Sequence, residues 1–145
     1  MGDLQCPATI IVTSATDATA AQLADELSGR RIAMVFAAPA GAQHQSATDI
    51  AKACGCGVRT TENLTPSGSD APADDVVGRW AELVDEIADQ FRGETVLVVS
   101  DARTATLAVP RLTENFSEPP FADLSATSKV FCELESDADG TRYIH

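Results

Sequence analysis

The chain has 145 residues, a length that suits one domain with one hydrophobic core. Hydrophobic residues make up 44% and charged residues 22%, which is typical of a globular protein and excludes a disordered chain. The net charge of −12 argues against nucleic-acid and membrane partners, since both attract clustered Lys and Arg.

The first third of the chain alternates strand and helix patterns. Residues 8–14, ATIIVTS, are a short β-branched run without alternation, which predicts a strand buried on both faces. Residues 16–30 then place apolar side chains at helical spacing. Residues 31–38, RIAMVFAA, predict a second buried strand that stops before Pro39, and residues 41–55 predict a second helix.

The middle of the chain contains the clearest helical pattern. Residues 58–64, VRTTENL, predict a third, weaker strand, and residues 65–74 predict a polar surface loop. In the helix that follows, Asp74 is placed to cap the start, Gly93 ends it, and Trp80 is expected to anchor the core. The residues that repeat at helical spacing are Val76, Trp80, Leu83, Val84, Ile87 and Phe91. Its acidic residues are expected to form the solvated face.

The last third continues the alternation. Residues 94–100, ETVLVVS, predict a fourth buried strand, and residues 102–112 predict a short helix. Residues 128–145 predict a final strand, in which Val130, Cys132 and Leu134 alternate with charged residues before a DADG turn.

Strands that alternate with helices predict an α/β fold. We expect one domain over residues 1–145, with three α/β/α layers, a mostly parallel central sheet and an antiparallel C-terminal edge strand. Ligands of such sheets bind outside the carboxyl ends of the strands. Functional side chains are therefore expected among residues 13–17, 37–42 and 100–103.

The cysteines do not indicate a disulfide framework or a zinc site. Their number is even, but the chain is neither short nor rich in cysteine, so reduced thiols are expected at Cys6, Cys54, Cys56 and Cys132. The CGCG stretch at residues 54–57 lacks the second pair of ligands that zinc needs, and predicts a helix that ends on Gly55 or Gly57. No membrane span or secretory leader is recognisable, so a cytoplasmic location is expected.

Three stretches together resemble the histidine phosphatase superfamily, the phosphoglycerate mutase-like proteins that include the small phosphohistidine phosphatases. Residues 18–64 are similar to a family segment in which a helix ends in a leucine-rich turn, a strand closes on Ser-Ser-Pro, and the next helix opens with Arg-Ala-x-x-Thr-Ala. Residues 94–109 resemble its valine-rich strand ending in Ser-His-Gly or Gly-His, and residues 125–144 resemble its final strand. The resemblance runs from about residue 8 to the C-terminus.

The resemblance implies where the family's phosphoryl-transfer residues should fall. Family members use a histidine that becomes phosphorylated, within an Arg-His-Gly triplet at the end of the first strand. That triplet falls on Thr13, Ser14 and Ala15. The second arginine of the phosphate pocket falls on Ala42, and the second histidine falls on Asp101.

These substitutions remove the family's chemistry. A neutral serine hydroxyl needs a base before it can act as a nucleophile, and alanine lacks the forked donors that bind phosphate oxygens. A carboxylate at residue 101 would repel a phosphate. The sequence therefore predicts a catalytically inactive member, acting as a binding or regulatory module for a protein partner, without metal or cofactor. Its vestigial pocket would comprise Thr13, Ser14, Ala15, Ala42, Asp101 and Arg103.

Several alternatives stay open. A hydrolase or phosphatase with a remodelled site could use Ser14 and Asp101, with or without His44 as the base. Arg103, with a helix N-terminus after the fourth strand, could bind an anion, although Asp101 opposes it. Asp17 and Asp101 are weak candidates for metal ligands. An acidic interaction domain of an unrelated α/β fold is the remaining possibility.

Overall fold

A computed structural model of the protein describes residues 8–13, 25, 31–39, 42–64, 73–100, 131–137 and 140–143. Within these residues, one sheet contains strands β1 Ala8–Thr13, β2 Ile32–Ala37, β3 Gly57–Thr60, β4 Thr95–Val99, β5 Phe131–Asp137 and β6 Gly140–Tyr143. The helices whose bounds are described are α1 Ala42–Cys54 and α2 Ala73–Gln90, and a 3-10 turn spans Glu62–Leu64.

The sheet has the strand order β3-β2-β4-β1-β5-β6. β4 pairs in parallel with both β1 and β2, and β2 pairs in parallel with β3. β5 is antiparallel to β1, and β6 is antiparallel to β5. This arrangement confirms the predicted α/β fold, with a parallel centre and antiparallel pairing at the C-terminal edge.

Two segments differ from the sequence prediction. The third strand stops at Thr60, because the Thr61 hydroxyl accepts the backbone N–H of Asn63 at 3.2 Å and the chain turns so that Leu64 becomes buried. The predicted final strand is a hairpin of β5 and β6, since the chain reverses between Asp137 and Gly140.

α2 covers one face of the sheet with large side chains. Trp80 is 1% exposed, which confirms its predicted place in the core, and the Phe36 and Phe91 rings meet edge to face with centroids 5.7 Å apart. The helix begins one residue before Asp74, so Asp74 lies in the first turn rather than at the cap. The buried residues on this face are Ala8, Ile10, Val12, Phe36, Ala38, Leu64, Val76, Trp80, Leu83, Val84, Ile87, Phe91, Val96, Val98 and Leu134.

α1 covers the opposite face with smaller side chains: Ala47, Ile50 and Ala51 pack on Ile11, Ile32, Val35, Ala37, Leu97 and Val99. The helix ends at Cys54, and Gly55 takes a φ of +75°. The N–H of Cys56 donates a hydrogen bond to the carbonyl of Ala51 at 3.0 Å, and the N–H of Gly55 donates to the carbonyl of Lys52 at 3.4 Å. This pair of bonds is the Schellman motif, and it confirms that the helix ends at Gly55.

One side chain from the edge strand β3 reaches the end of α2. The Arg59 guanidinium lies 5.6 Å from the centroids of both the Phe36 and Phe91 rings, and its Nη1 donates to Gln90 Oε1 at 2.7 Å. The last turn of α2 has no basic residue of its own. Arg59 therefore supplies the cation that a helix C-terminus favours, and it joins β3 to α2.

The described residues cover the predicted helices unevenly. Of the predicted first helix, the structure describes Asp25, which is helical and exposed. The predicted helix at residues 102–112 lies outside the described residues. In the part of the chain that is described, no helix has both the length and the apolar character needed to cross a bilayer.

Candidate functional site

The carboxyl ends of β2, β4 and β1 lie side by side, because these strands are parallel neighbours in the sheet. Beyond β4, the N–H of Ser100 donates to the carbonyl of Thr13 at 2.9 Å, so β1 and β4 stay paired to their last residues. Thr13 is 0% exposed and Ser100 is 1% exposed. The structure therefore brings the ends of the first and fourth strands together, as the sequence predicted for this edge.

Thr13 lies in the sheet on the same side as Ile11, because side chains alternate along a strand. It pairs with Val99 across the parallel ladder. Its side chain has no access to solvent, so at this position the molecule presents neither a charge nor an exposed hydroxyl to an approaching ligand.

α1 begins at the same edge, five residues after the end of β2. Its first residue is Ala42, and His44 in the first turn is half-buried. The carbonyl of His44 accepts the Thr48 hydroxyl at 2.9 Å, while the first turn carries no acidic residue. The positive end of the α1 dipole therefore points to the carboxyl edge of the sheet, close to the one imidazole in the described residues.

Within the described part of the chain, two buried polar atoms lack a hydrogen-bond partner: the Ser46 hydroxyl on α1 and the Trp80 Nε1 on α2. Ser46 precedes Ala47 on the face of α1 that packs on the sheet, and it is fully buried. Sequence reasoning missed Ser46, although a polar residue beside the apolar stripe of a helix is a readable signal. An unpaired buried hydroxyl costs about 1–3 kcal/mol.

Most of the predicted site residues lie outside the described residues: Ser14, Ala15, Asp17, Asp101 and Arg103. The structure places Thr13, Ala42 and His44 at one edge of the sheet, although the side chain of Ala42 is not among those described. The proposed grouping of Ser14, His44 and Asp101 stays a prediction. Among the described side chains, no three metal-ligating residues form a cluster.

A groove of about 390 Å³ lies at the opposite edge of the sheet, where β2 and β4 begin. The pairing of these two strands is irregular between Ile32 and Met34, which is a local bulge. Exposed Arg31 and Glu94 stand on its rim. Its lining residues are Arg31, Ile32, Ala33, Gly93, Glu94 and Thr95. The sequence had not indicated this groove.

Neither a known family pattern nor a curated protein matches the amino-acid sequence. Solved structures do match the fold. YhfR of Bacillus stearothermophilus is 14% identical, with 94% of this chain and 95% of that chain covered and a TM-score of 0.73. A mycobacterial glucosyl-3-phosphoglycerate phosphatase is 14% identical, with 95% of each chain covered and a TM-score of 0.67.

The phosphoglycerate mutase of Plasmodium falciparum is also similar, at 14% identity, with 96% of this chain and 89% of that chain covered and a TM-score of 0.66. A further structure of the mycobacterial phosphatase holds inorganic phosphate. Likeness at this level of identity establishes the architecture, and it agrees with the resemblance found in the sequence. The chain has the histidine phosphatase, or phosphoglycerate mutase-like, fold.

Proposed function

We propose that the chain is a catalytically inactive protein with this fold, which serves as a binding or regulatory module for a protein partner. The proposal takes the chain as one domain over residues 1–145 that needs no cofactor. The observation that carries it is Thr13, a fully buried threonine at the end of β1 where the resemblance expects a phosphate-binding arginine.

The surroundings of Thr13 support this reading. The residue lies in the sheet layer beside Val99 and on the same side as Ile11, and its carbonyl is held by Ser100. A guanidinium at this position would lie where the smaller threonine side chain has no access to solvent. Because a buried charge without a partner is strongly unfavourable, the position suits a small neutral side chain better than a cation.

Charge gives a second line of support. With Thr13 and Ala42 in place of two arginines, neither position offers a cation to a phosphate, and the chain as a whole carries a net charge of −12. Asp101 adds a carboxylate where the resemblance expects a histidine. Coulomb repulsion therefore disfavours the dianionic substrates that this fold processes elsewhere.

Turnover is the direct test. We expect no hydrolysis of aryl phosphates or phosphohistidine peptides above that of a Ser14→Ala, Asp101→Ala double variant. Activity in the wild-type chain that disappears in the double variant would refute the proposal. Inorganic phosphate should likewise fail to bind in a calorimetric titration.

A gain-of-function variant sharpens the test. Restoring the expected residues at the other positions with Ser14→His, Ala42→Arg and Asp101→His should raise phosphate affinity, with Ser14→His, Ala42→Gln and Asp101→His as the uncharged control. If the restored and control variants bind phosphate equally weakly, the site differs from the resemblance in more than these three residues. A partner is identified by affinity capture followed by titration of the purified pair.

The second candidate is a hydrolase that acts on a non-phosphorylated substrate through Ser14, His44 and Asp101. The half-buried position of His44 in the first turn of α1, at the carboxyl edge, favours it. An activated ester is the appropriate probe. Activity lost in both Ser14→Ala and His44→Gln, but kept in Thr48→Ala, would establish this alternative.

A further inference from the structure

Two thiols lie close together in the turn between α1 and β3. Cys54 is the last residue of α1, Gly55 is the left-handed residue of the turn, and Cys56 directly precedes β3. Because β3 runs parallel to β2, this turn lies at the amino edge of the sheet, away from Thr13. The proposed function does not use these cysteines.

The backbone brings the two cysteines within disulfide range. Two trans peptide units separate their Cα atoms by at most about 7 Å, and the tight turn shortens this distance. Two hydrogen bonds hold the turn. The N–H of Cys56 donates to the carbonyl of Ala51, and the N–H of Gly55 donates to the carbonyl of Lys52. A disulfide joins Cα atoms that are about 4.4–6.8 Å apart.

The side chains also share one environment. Cys54 and Cys56 both pack against the α1 face of the core, beside partly buried Val58, and both are half-buried. A Cβ added at Gly55 would meet no atom within 4 Å, so there is open space beside this residue of the turn. Because neither cysteine is fully buried, a small oxidant has access to the pair.

We propose that Cys54 and Cys56 form a reversible intramolecular disulfide. The oxidant is a low-molecular-weight disulfide of the glutathione class. One cysteine thiolate attacks it and releases one thiol, and the second thiolate then attacks the mixed disulfide and releases another. Two protein thiols lose two electrons and two protons, and one small disulfide is reduced to two thiols.

The protonation of the thiols sets the pH dependence of this reaction. Burial raises the pKa of Cys54. Burial also raises the pKa of Cys56, the neighbouring Cys54 raises it further, and a backbone hydrogen bond lowers it. Because the thiolate is the attacking species, the oxidation rate should keep rising beyond the pH at which an exposed thiol levels off.

The experiment uses the full chain with Cys6→Ser and Cys132→Ser, equilibrated with mixtures of reduced and oxidised glutathione, then alkylated and weighed by mass spectrometry. The disulfide form should exceed the mixed disulfide by at least about tenfold, since the second thiol acts at high effective concentration. Adding Cys56→Ser is the matched control, and this chain should carry one glutathionyl group instead.

Three results would overturn the proposal. These are a dominant mixed disulfide on the paired chain, thiols of that chain that stay reduced when folded yet oxidise in urea, and, in peptide mapping of the oxidised wild-type chain, pairing of either cysteine with Cys6 or Cys132. Thermal unfolding verifies that each variant is folded. If the serine background does not fold, peptide mapping of the oxidised wild-type chain gives the same decision.

Discussion

The two faces of the sheet are built differently. The face under α2 is filled by aromatic and large aliphatic side chains, including Trp80, Phe36 and Phe91, whereas the face under α1 has no buried aromatic ring among the described residues, and α1 itself contributes Ala47, Ile50 and Ala51. Large side chains bury more apolar surface per residue, so we expect α2 to contribute more to the free energy of unfolding.

The candidate site lies at the start of α1, the helix with the smaller contact residues. α1 starts at the carboxyl edge, where Thr13 and His44 lie, and it carries the unpaired hydroxyl of Ser46. A helix with small contact residues can approach the sheet closely, but it loses little apolar contact when it is altered. The face under α1, the helix that begins at the candidate site, is therefore the one where change should be tolerated best.

The largest expected effect is at Trp80. Trp80→Ala removes a side chain that is 1% exposed, and it should lower the free energy of unfolding by about 3–5 kcal/mol in urea titrations. Trp80→Phe keeps an aromatic ring and removes the unpaired N–H, so its loss should stay below about 2 kcal/mol. Equal losses in the two variants would contradict a packing origin.

Ile50 is the corresponding test on the α1 face. Ile50→Ala should lower the free energy of unfolding by about 2–3 kcal/mol, because Ile50 is fully buried. The loss should be smaller than at Trp80, since the neighbours of Ile50 on the helix are alanines. The measurement is again the urea midpoint, with the slope checked for constancy. A loss greater than that of Trp80→Ala would reverse the proposed ranking of the two faces.

Arg59 tests the link between the edge strand and α2. Arg59→Ala should cost about 1 kcal/mol, because the cation lies 5.6 Å from two ring centroids and its bond to Gln90 is lost. Arg59→Lys keeps the charge and should recover part of the lost free energy of unfolding. If Arg59→Lys is as unstable as Arg59→Ala, the guanidinium geometry rather than its charge matters.

Ser46 offers a stabilising change. Ser46→Ala should raise the free energy of unfolding by about 0.5–1 kcal/mol, since it removes a buried hydroxyl that has no partner and improves helix propensity. Thr48→Ala is the control on the same helix, because the Thr48 hydroxyl is bonded to the His44 carbonyl. A larger gain from Thr48→Ala than from Ser46→Ala would argue against the unpaired hydroxyl as the cause.

The smallest effect concerns pH. Burial raises the folded-state pKa of Cys54 and Cys56 above the ordinary value of 9.0, so the unfolded chain loses these protons first. At pH values well below 9.0 these groups should not affect the free energy of unfolding. As the pH rises through 9.0 and above, the free energy of unfolding should fall. A Cys54→Ala, Cys56→Ala variant should show a shallower alkaline decline in thermal melts under reducing conditions.

The sequence predicted the elements whose signals are local. The buried strands follow from short apolar runs without alternation, α2 follows from helical periodicity, and the end of α1 follows from Gly55. The third strand was predicted too long, because the apolar Leu64 continued its pattern while Thr61 and Asn63 formed a turn. The hairpin was missed because Gly140–Tyr143 is too short to show alternation.

The fold class indicates at which edge of the sheet to look for a site, but not the packing at that edge. The carboxyl edge follows from fold class, yet the complete burial of Thr13 depends on packing by distant elements. The contact of Arg59 with Gln90 joins residues 31 apart in sequence, and no local pattern indicates it. The sequence shows that Ser46 is a polar residue near an apolar stripe, but only the structure shows that its hydroxyl has no hydrogen-bond partner.

The outermost strands of the described sheet, β3 and β6, are each four residues long. A neighbouring molecule that tried to add a strand at either margin would find few free backbone groups to pair with. At β3, the 3-10 turn that follows ends the extended backbone soon after Thr60. The short length of these two strands thus discourages polymerisation by sheet extension.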